Sequence, residues 1–566
     1  MIVIPQSRIT AYKKLEWWGS ELLDDFFKKH VAAKPLEPAL VDPPNTLEIY
    51  GRKPKRLNWA ETEELVTRYA SMFVKHGFNK DDALLVQLPN IVDLTAVYLA
   101  CARLGIIVSP APSQYREREL VYIAERVDAK AILTATRIGS FDHGAMASRL
   151  KKRSPILDKV FCLGGIVDDA LDVESELACI TAEDRAVALE VIRNSNISAD
   201  DIFTICWTSG TESSPKGVPR SHSEWLIIAA LVVEGNEVRN GAHLLNPFPM
   251  VNMAGIATSF MSWLLSGGVL VQHHPFDLPL FIQQIRDESI ENTSAPPAVL
   301  NLLLQNEEML DDIDFHRLKT IGSGSAPLSE WMVRTFHEKY GVRITNLFGS
   351  NEGTVLLSSF RDVPDSALRA KYFPRFAEGF KWHSSFCVGV RSRIVDPATE
   401  DEIFEVGRVG ELRVKGPTVF SGYWKSPELN SRSFDKNGWF RTGDLFKISG
   451  DRKEFFEFSG RLKDIVIRGG MNISPEEIET LLMAHPAIVD AAVVGAPDKN
   501  LGERVCAFVA LKPNQSVDLK SINTFLTQEK GIAVFKQVER LEIVEALPRN
   551  PVGKTLKAKL REGLAL

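Results

Sequence analysis

Between Asp82 and Leu133 the chain alternates short, nearly continuous apolar runs with segments whose apolar residues recur at helical spacing. Ala83-Leu-Leu-Val-Gln-Leu88, Ile106-Ile-Val108 and Ala131-Ile-Leu133 read as strands, and Leu94 to Leu104 and Leu120 to Val127 as the helices between them. Strands this continuously apolar have no wet face, so helices must cover both sides of a mostly parallel sheet. The alternation returns at Ile202 to Trp207, Leu244 to Pro249, Gly268 to Val271 and Leu318 to Gly322. It predicts a large doubly wound α/β body.

After Val390 the texture changes to short β-type runs, Arg393-Ile-Val395 and Glu411-Leu-Arg-Val414, separated by glycine and proline turns. This predicts a smaller β subdomain. Near Gly460-Arg-Leu-Lys-Asp464 a polar segment precedes a compact βαβ-like tail through Ile465, Val493, Phe508 and Phe535. Within it Ser474-Pro-Glu-Glu-Ile478 has the form of a helix start, with a capping Ser, Pro in the first turn and Glu three residues after the cap. The expected fold is α/β, with a large N-terminal domain over 1–460, of doubly wound sheets plus a β subdomain, and a small α+β C-terminal domain over 461–566.

Composition changes this picture little. Hydrophobic residues make up 45% and charged residues 25% of 566 residues, ordinary globular usage and more than one core's worth of chain. The net charge of −6 comes with no long basic run, so nucleic acid is not an expected partner. Six cysteines (Cys101, Cys162, Cys179, Cys206, Cys387, Cys506) form no C-x-x-C pair, which argues for a reducing compartment and against a zinc cluster. The first residues, Met1-Ile-Val-Ile-Pro-Gln-Ser-Arg8, do not have the form of a signal peptide. The apolar runs at Leu226 to Val233 and Met261 to Val271 are too short or glycine-interrupted to cross a bilayer of about 30 Å. A cytoplasmic protein without a membrane span is expected.

The strand-like run Ile202 to Trp207 leads into Thr208-Ser-Gly-Thr-Glu-Ser-Ser-Pro-Lys-Gly217. Hydroxyls, glycine N–H groups and one lysine suit phosphate oxygens, though not at the spacing of a nucleoside-triphosphatase loop. As chemistry alone, a solvated Ser/Thr turn fits it equally well. In sequence, however, the segment resembles the signature loop of the adenylate-forming superfamily, which includes acyl-CoA synthetases, stand-alone adenylation enzymes, peptide-synthetase adenylation domains and firefly luciferase. Asn346-Leu-Phe-Gly-Ser-Asn-Glu352, Arg441-Thr-Gly-Asp444, Gly460-Arg-Leu-Lys-Asp464 and Pro548-Arg-Asn-Pro-Val-Gly-Lys554 resemble that family's later motifs, in order. The resemblance runs from about Leu40 to the end.

It implies ATP and Mg²⁺, with CoA as co-substrate, and a small C-terminal domain that is mobile. By resemblance, Thr208, Ser209, Gly210, Thr211 and Lys216 hold the β- and γ-phosphates, with Phe348, Gly349, Ser350 and Asn351 beside the nucleotide, and Glu352 binds Mg²⁺. Asp444 accepts hydrogen bonds from the ribose hydroxyls, and Arg461 assists at ribose or phosphate. Ser323-Gly-Ser-Ala-Pro327 resembles the turn against which adenine packs, so Gly324, Ser325, Ala326 and Pro327 are candidates, although small residues at a turn fit a plain turn as well. Lys554 resembles the lysine that bridges carboxylate and α-phosphate oxygens during adenylation. Lys463 falls at the family's hinge, and Gly469 and Gly470 on the face that approaches the thiol.

Three residues depart from the family pattern. Glu212-Ser213 replaces the usual Thr-Gly, placing negative charge near a triphosphate, and Asn351 replaces a Thr. They keep open a non-catalytic nucleotide-binding protein on a decayed ligase scaffold. By position in the family, the acid pocket is expected to draw on Met250, Asn252, Met253, Gly255, Gly322 and Gly324. These residues are mostly apolar and include no Asp to pair with an amino acid's ammonium, so an apolar acid (cyclic, aromatic or medium-chain) is the expected substrate. The sequence therefore predicts an AMP-forming carboxylic acid:CoA ligase, with a stand-alone aryl-acid adenylation enzyme that loads a carrier protein as the alternative.

Overall fold

A computed structural model describes residues 1–208, 215–311, 313–376, 379–385, 389–469, 471–550 and 554–564. The chain divides into two compact units: Met1–Ala370 with Phe376–Arg391 and Lys415–Gly438, and Lys371–Arg375 with Ser392–Val414 and Trp439–Leu566.

The first unit holds two sheets. In one, the strands run in the spatial order Lys216–Ser221, Ile202–Thr208, Ile107–Pro110, Ala83–Gln87, Ala129–Ala135, Lys159–Leu163 and Leu171–Asp172. All neighbours are parallel except the first pair, a hairpin. The other sheet has eight strands; its inner strands, Arg343–Gly349, Thr320–Gly324, Asn292–Ser294, His243–Asn246, Val269–Gln272 and Pro38–Val41, are parallel. One apolar cluster joins the two sheets through the helices Trp59–Lys75, Val92–Leu104 and His222–Gly235. Every residue of Val92–Leu104 is buried, as a helix between two sheets requires. The apolar runs thus sit where their continuity placed them, in strands covered on both faces.

The second unit has a five-stranded sheet containing Arg391–Val395, Val409–Lys415, Phe440–Ser449 and Phe455–Arg461, followed by a further sheet in the tail. The tail sheet is built around the long hairpin Ile488–Asp498 and Gly502–Leu511. Ser474 caps the helix Pro475–Met483 by accepting from the Glu477 N–H, as its sequence predicts. The tail's last strand, Arg540–Ile543, lies later than Phe535, which falls in a single tight turn and contributes one partly buried ring to the core. Among the described residues no helix is long and apolar enough to cross a membrane.

Candidate active site

In a parallel sheet all strands deliver their following loops to one edge, where ligands of open α/β sheets bind. Thr320–Gly324 and Arg343–Gly349 pair with Gly324 opposite Leu347, so the turn after Gly324 and the turn after Gly349 emerge side by side. Ser325, Ala326 and Pro327 are exposed there. Asn346 is buried and donates to the carbonyls of Arg369 (3.1 Å) and Ala370 (3.0 Å), fixing the strand that ends in Phe348 and Gly349. The turn closes with Gly353 N–H donating to Ser350 O (3.0 Å) and Ser350 N–H to Thr354 O (3.1 Å). Gly353 has φ +92°, and a Cβ there would strike Thr418 O, so glycine is required at this approach.

The segment Thr418–Trp424 lies across this turn as a strap. Phe420 N–H donates to Glu352 O (2.9 Å), Thr418 Oγ1 to Gly353 O (2.9 Å) and Trp424 N–H to Gly217 O (2.8 Å). It therefore joins the Glu352 turn of one sheet to the hairpin of the other. In that hairpin Thr208 and Lys216 are direct cross-strand partners and close the loop between them. Lys216 Nζ lies 5.5 Å from the centre of the Tyr423 ring, and Tyr423 Oη donates to Glu352 Oε1 (2.8 Å). Burial, and then the Glu352 carboxylate, push the Tyr423 hydroxyl well above the usual phenol range, so it stays a donor. Beneath them Arg220, only 1% exposed, donates to Asn351 O from Nε (3.0 Å) and Nη2 (2.6 Å). Tyr423 and Arg220 were not foreseen from sequence. The dipeptide Gly422-Tyr423 beside a run of Ser, Trp and Lys was the available signal for the first.

Asn351 uses its side chain locally, its Oδ1 accepting from Met253 N–H (2.8 Å). That bond ties the expected acid-binding segment to the Glu352 turn. Within the segment, Asn252 Oδ1 accepts from Ala254 N–H (3.0 Å) and Gly255 N–H (3.4 Å), capping the helical stretch that follows. Met250 is fully buried, its carbonyl accepting from Tyr98 Oη and its sulfur 3.4 Å from Gln272 Nε2. Gly255 lies so close to Pro249 O that a Cβ would collide with it. Gly322 is buried against Leu347 and Ser294. Met253, partly buried, packs on the edge of the core.

In the second unit Asp444 pairs in register with Arg461, whose Nε is 3.2 Å from Asp444 Oδ1. The turn before Asp444 is fixed by Thr442 Oγ1 donating to Leu412 O (2.6 Å) and by Gly443 N–H donating to Glu411 Oε1 (3.2 Å). Arg441 donates from Nη1 and Nη2 to Glu400 (2.7 and 3.0 Å), which Arg413 and Arg441 together hold well below the usual carboxylate range. Lys463 is exposed in the turn Leu462–Asp464, directly after Arg461. Gly469 N–H donates to Leu501 O (2.8 Å). Lys554 is exposed, its N–H donating to Asn550 Oδ1 (2.8 Å) while its carbonyl accepts from Asn550 N–H (2.8 Å). Ser209, Gly210, Thr211, Glu212, Ser213 and Gly470 lie outside the described residues.

A metal at Glu352 has to fit these donors. Among the described residues no group of three or more His, Cys, Asp or Glu could hold an ion without help. One carboxylate suits a site whose remaining ligands would be phosphate oxygens and water, which is how Mg²⁺ is usually bound, and Lys216 beside the Tyr423 ring suits the same phosphates. Ser350 Oγ, buried beside Glu352 and without a hydrogen-bond partner among the described residues, is a further group for that side. The residues fit.

The pattern of the AMP-binding enzyme family matches residues 27–424, and that of the AMP-binding enzyme C-terminal domain matches 477–554. The medium-chain fatty-acid–CoA ligase of Escherichia coli (strain K12) is 28% identical, covering 99% of this chain and 93% of its own. The 2,3-dihydroxybenzoate-AMP ligase of Bacillus subtilis (strain 168) is 26% identical, covering 99% and 97%. The solved structure of ATP-bound MatB from Rhodopseudomonas palustris is 25% identical, with a TM-score of 0.77 over 96% of this chain and 99% of that one.

Proposed function

Because the chain belongs to the AMP-binding enzyme family of adenylate-forming enzymes, we propose that it is an AMP-forming carboxylic acid:CoA ligase acting on an apolar cyclic, aromatic or medium-chain acid. The observation that carries this reading is the convergence on one strap of Glu352, Tyr423 and the Thr208/Lys216 hairpin, at the sheet edge where the acid-binding segment also arrives. Carboxylate attack on an α-phosphate brings two anions together, so its barrier falls mainly through positioning and fixed positive charge. A carboxylate oxygen bonds to the α-phosphorus, the bond to the bridging oxygen breaks, and pyrophosphate leaves. Lys216, with Thr208, Ser209, Gly210 and Thr211, binds the departing phosphates. Glu352 would hold Mg²⁺, which when bound would offset charge on the phosphate oxygens. Asp444 and Arg461 take the ribose, and Lys554 bridges the acid and the α-phosphate. A rotation about Lys463 then exchanges Lys554 for the Gly469–Gly470 face, and the CoA thiol displaces AMP from the acyl carbon.

The apolar acid is supported by the acid-binding segment itself. Asn252 directs its oxygen to helix capping, and the side chains around it, Met250, Val251, Met253 and Ala254, are apolar. Similarity of the same order to an AMP ligase for an aryl acid favours one second reading, in which the acyl group goes to a phosphopantetheinylated carrier protein.

Pyrophosphate release with ATP and Mg²⁺ over a panel of aromatic, alicyclic and straight-chain acids, with CoA or with a phosphopantetheinylated carrier, tests both. Acid-dependent release with CoA turnover is expected. Turnover with the carrier alone selects the second reading, and absence of release with every acid rejects adenylation.

A further inference from the structure

Arg8 stands on the helix Gln6–Lys14, ahead of the residues that match the family pattern, and has no part in the roles above. Its guanidinium is directed at the strap. Nη1 donates to Phe420 O (3.0 Å) and Ser421 Oγ (2.9 Å), and Nη2 to Gly416 O (3.1 Å) and Val419 O. From the same N-terminal segment Trp18 Nε1 donates to Pro417 O (3.2 Å). Phe420 is thus bonded on both sides, its carbonyl to Arg8 and its N–H to the carbonyl of Glu352. A second line runs beneath: Arg8 Nη2 lies 3.8 Å from Glu224 Oε1, which is 4.0 Å from Arg220 Nη1, and Arg220 donates to the carbonyl of Asn351. The two peptide carbonyls preceding Gly353 are therefore both connected to this one guanidinium.

We propose that Arg8 is a positioning residue for the metal end of the site. It holds the strap so that the Glu352 carboxylate and the Tyr423 ring are aimed before metal and nucleotide arrive. The inference rests on the proposed reading of Glu352 as the Mg²⁺ ligand. The physical reason is preorganisation: a carboxylate whose backbone and hydrogen-bond partner are fixed does not have to be ordered when the ion binds. Arginine suits the task because its planar fork reaches several carbonyls at once, which an ammonium cannot do in that geometry.

The test compares Arg8→Met with Lys13→Met. Lys13 is on the same helix and holds it to Asp200 (2.6 Å), and among the described residues it makes no bond to the strap. Binding is read directly, by titrating Mn²⁺ into the protein with ATP and following loss of the free Mn²⁺ paramagnetic resonance signal. Arg8→Met is expected to weaken Mn²⁺ binding by about tenfold, in the range for removing a partner that orients a metal ligand, and to raise the Mg²⁺ concentration needed for half-maximal pyrophosphate release similarly. Lys13→Met should leave both unchanged, and Arg8→Lys should recover only part of the loss. If Arg8→Met does not fold, Trp18→Phe, which keeps an aromatic ring and removes the bond to Pro417 at the start of the strap, should show a smaller shift in the same direction.

Equal Mn²⁺ binding by parent, Arg8→Met and Trp18→Phe would overturn the brace while leaving the ligase reading intact. Equal weakening by Arg8→Met and Lys13→Met would show that only docking of the helix matters, and would overturn it too. A parent that neither binds Mn²⁺ with ATP nor releases pyrophosphate would overturn the ligase reading and the brace together.

Discussion

Glu352 and Lys554 are the carboxylate and the ammonium on which the proposed chemistry leans most, and the chain holds them by different means. Glu352 is partly buried. Its carbonyl accepts from the strap, its carboxylate accepts from a tyrosine hydroxyl, and the residues beside it are gripped by a buried arginine and by the close approach of Thr418 to Gly353. Lys554 is exposed on a hairpin closed by Asn550 and by the bridge between Arg549 and Thr555. The helix after it, Lys557–Glu562, is fastened by ion pairs: Lys557 to Glu479 (2.8 Å) and Glu476 (3.3 Å), and Arg561 to Asp464 (3.2 Å). Buried backbone hydrogen bonds open only at a high cost, whereas partly exposed ion pairs yield more readily. The proposed roles, a fixed ligand and a visiting lysine, call for these two kinds of fastening.

The largest effect that could break this comparison is at Lys554. Lys554→Ala should lower acid-dependent pyrophosphate release by about 10²–10³-fold, the usual scale for one positioned charge-stabilising group. Transfer from an added acyl-adenylate to CoA should stay within about twofold, because in the proposed reading the lysine has left the site by that step. Comparable loss in both steps would mean that Lys554 is not a visitor. Next is Tyr423→Phe, which removes the hydroxyl from Glu352 Oε1. The Mg²⁺ requirement should rise about tenfold with the rate at saturating Mg²⁺ nearly preserved. A fall in rate that added Mg²⁺ does not restore would give Tyr423 a different task. A smaller loss, about threefold to fivefold in pyrophosphate release, is expected for Lys557→Met, since a hairpin loosened at its base places Lys554 less often. Hydrogen exchange should quicken over 549–564 and not over 416–424, and Lys557→Arg should restore it. Uniform quickening would show that the two fastenings are not independent.

How much of this could be read in the chain follows from what each residue needs from its neighbours. The strands of the large sheets announced themselves because a strand covered on both faces has to be apolar throughout. Ser474 did so because a helix N-terminus needs a side-chain acceptor. Lys216, Glu352, Asp444 and Lys554 stood out because their motifs keep the same order. The strap did not. Arg8 and Arg220 act on backbone carbonyls, which every residue carries, so no partner residue type marks their targets in the sequence. Tyr423 meets Glu352 across 71 residues of chain, and only the fold shows that pairing. Asn252 and Gly255 were read by position as pocket lining, and local backbone geometry adds a capping role for one and a close approach to Pro249 for the other. A residue's position in a motif does not tell which way its side chain is directed.

The gentlest probe of the comparison is pH. Burial alone would lower the Lys557 pKa, but Glu479 and Glu476 outweigh it and hold the ammonium above its ordinary value. With a folded pKa above the unfolded one of about 10.4, the ammonium is charged in both states below that pH, and its full stabilisation is present there. The stabilisation is lost as pH rises through the folded value. In the strap the Tyr423 hydroxyl keeps its proton, because burial and Glu352 raise its pKa. Titration into the alkaline range should therefore release the C-terminal helix before the strap. Hydroxyl-radical footprinting can follow this at Leu560 and Leu564, both buried in the tail, against Tyr423 in the strap. In Lys557→Met the two leucines should already be reactive at neutral pH, with no further alkaline step before the strap opens. If they stayed protected in that variant, the tail would be held by its apolar packing, and the contrast with Glu352 would be one of exposure alone.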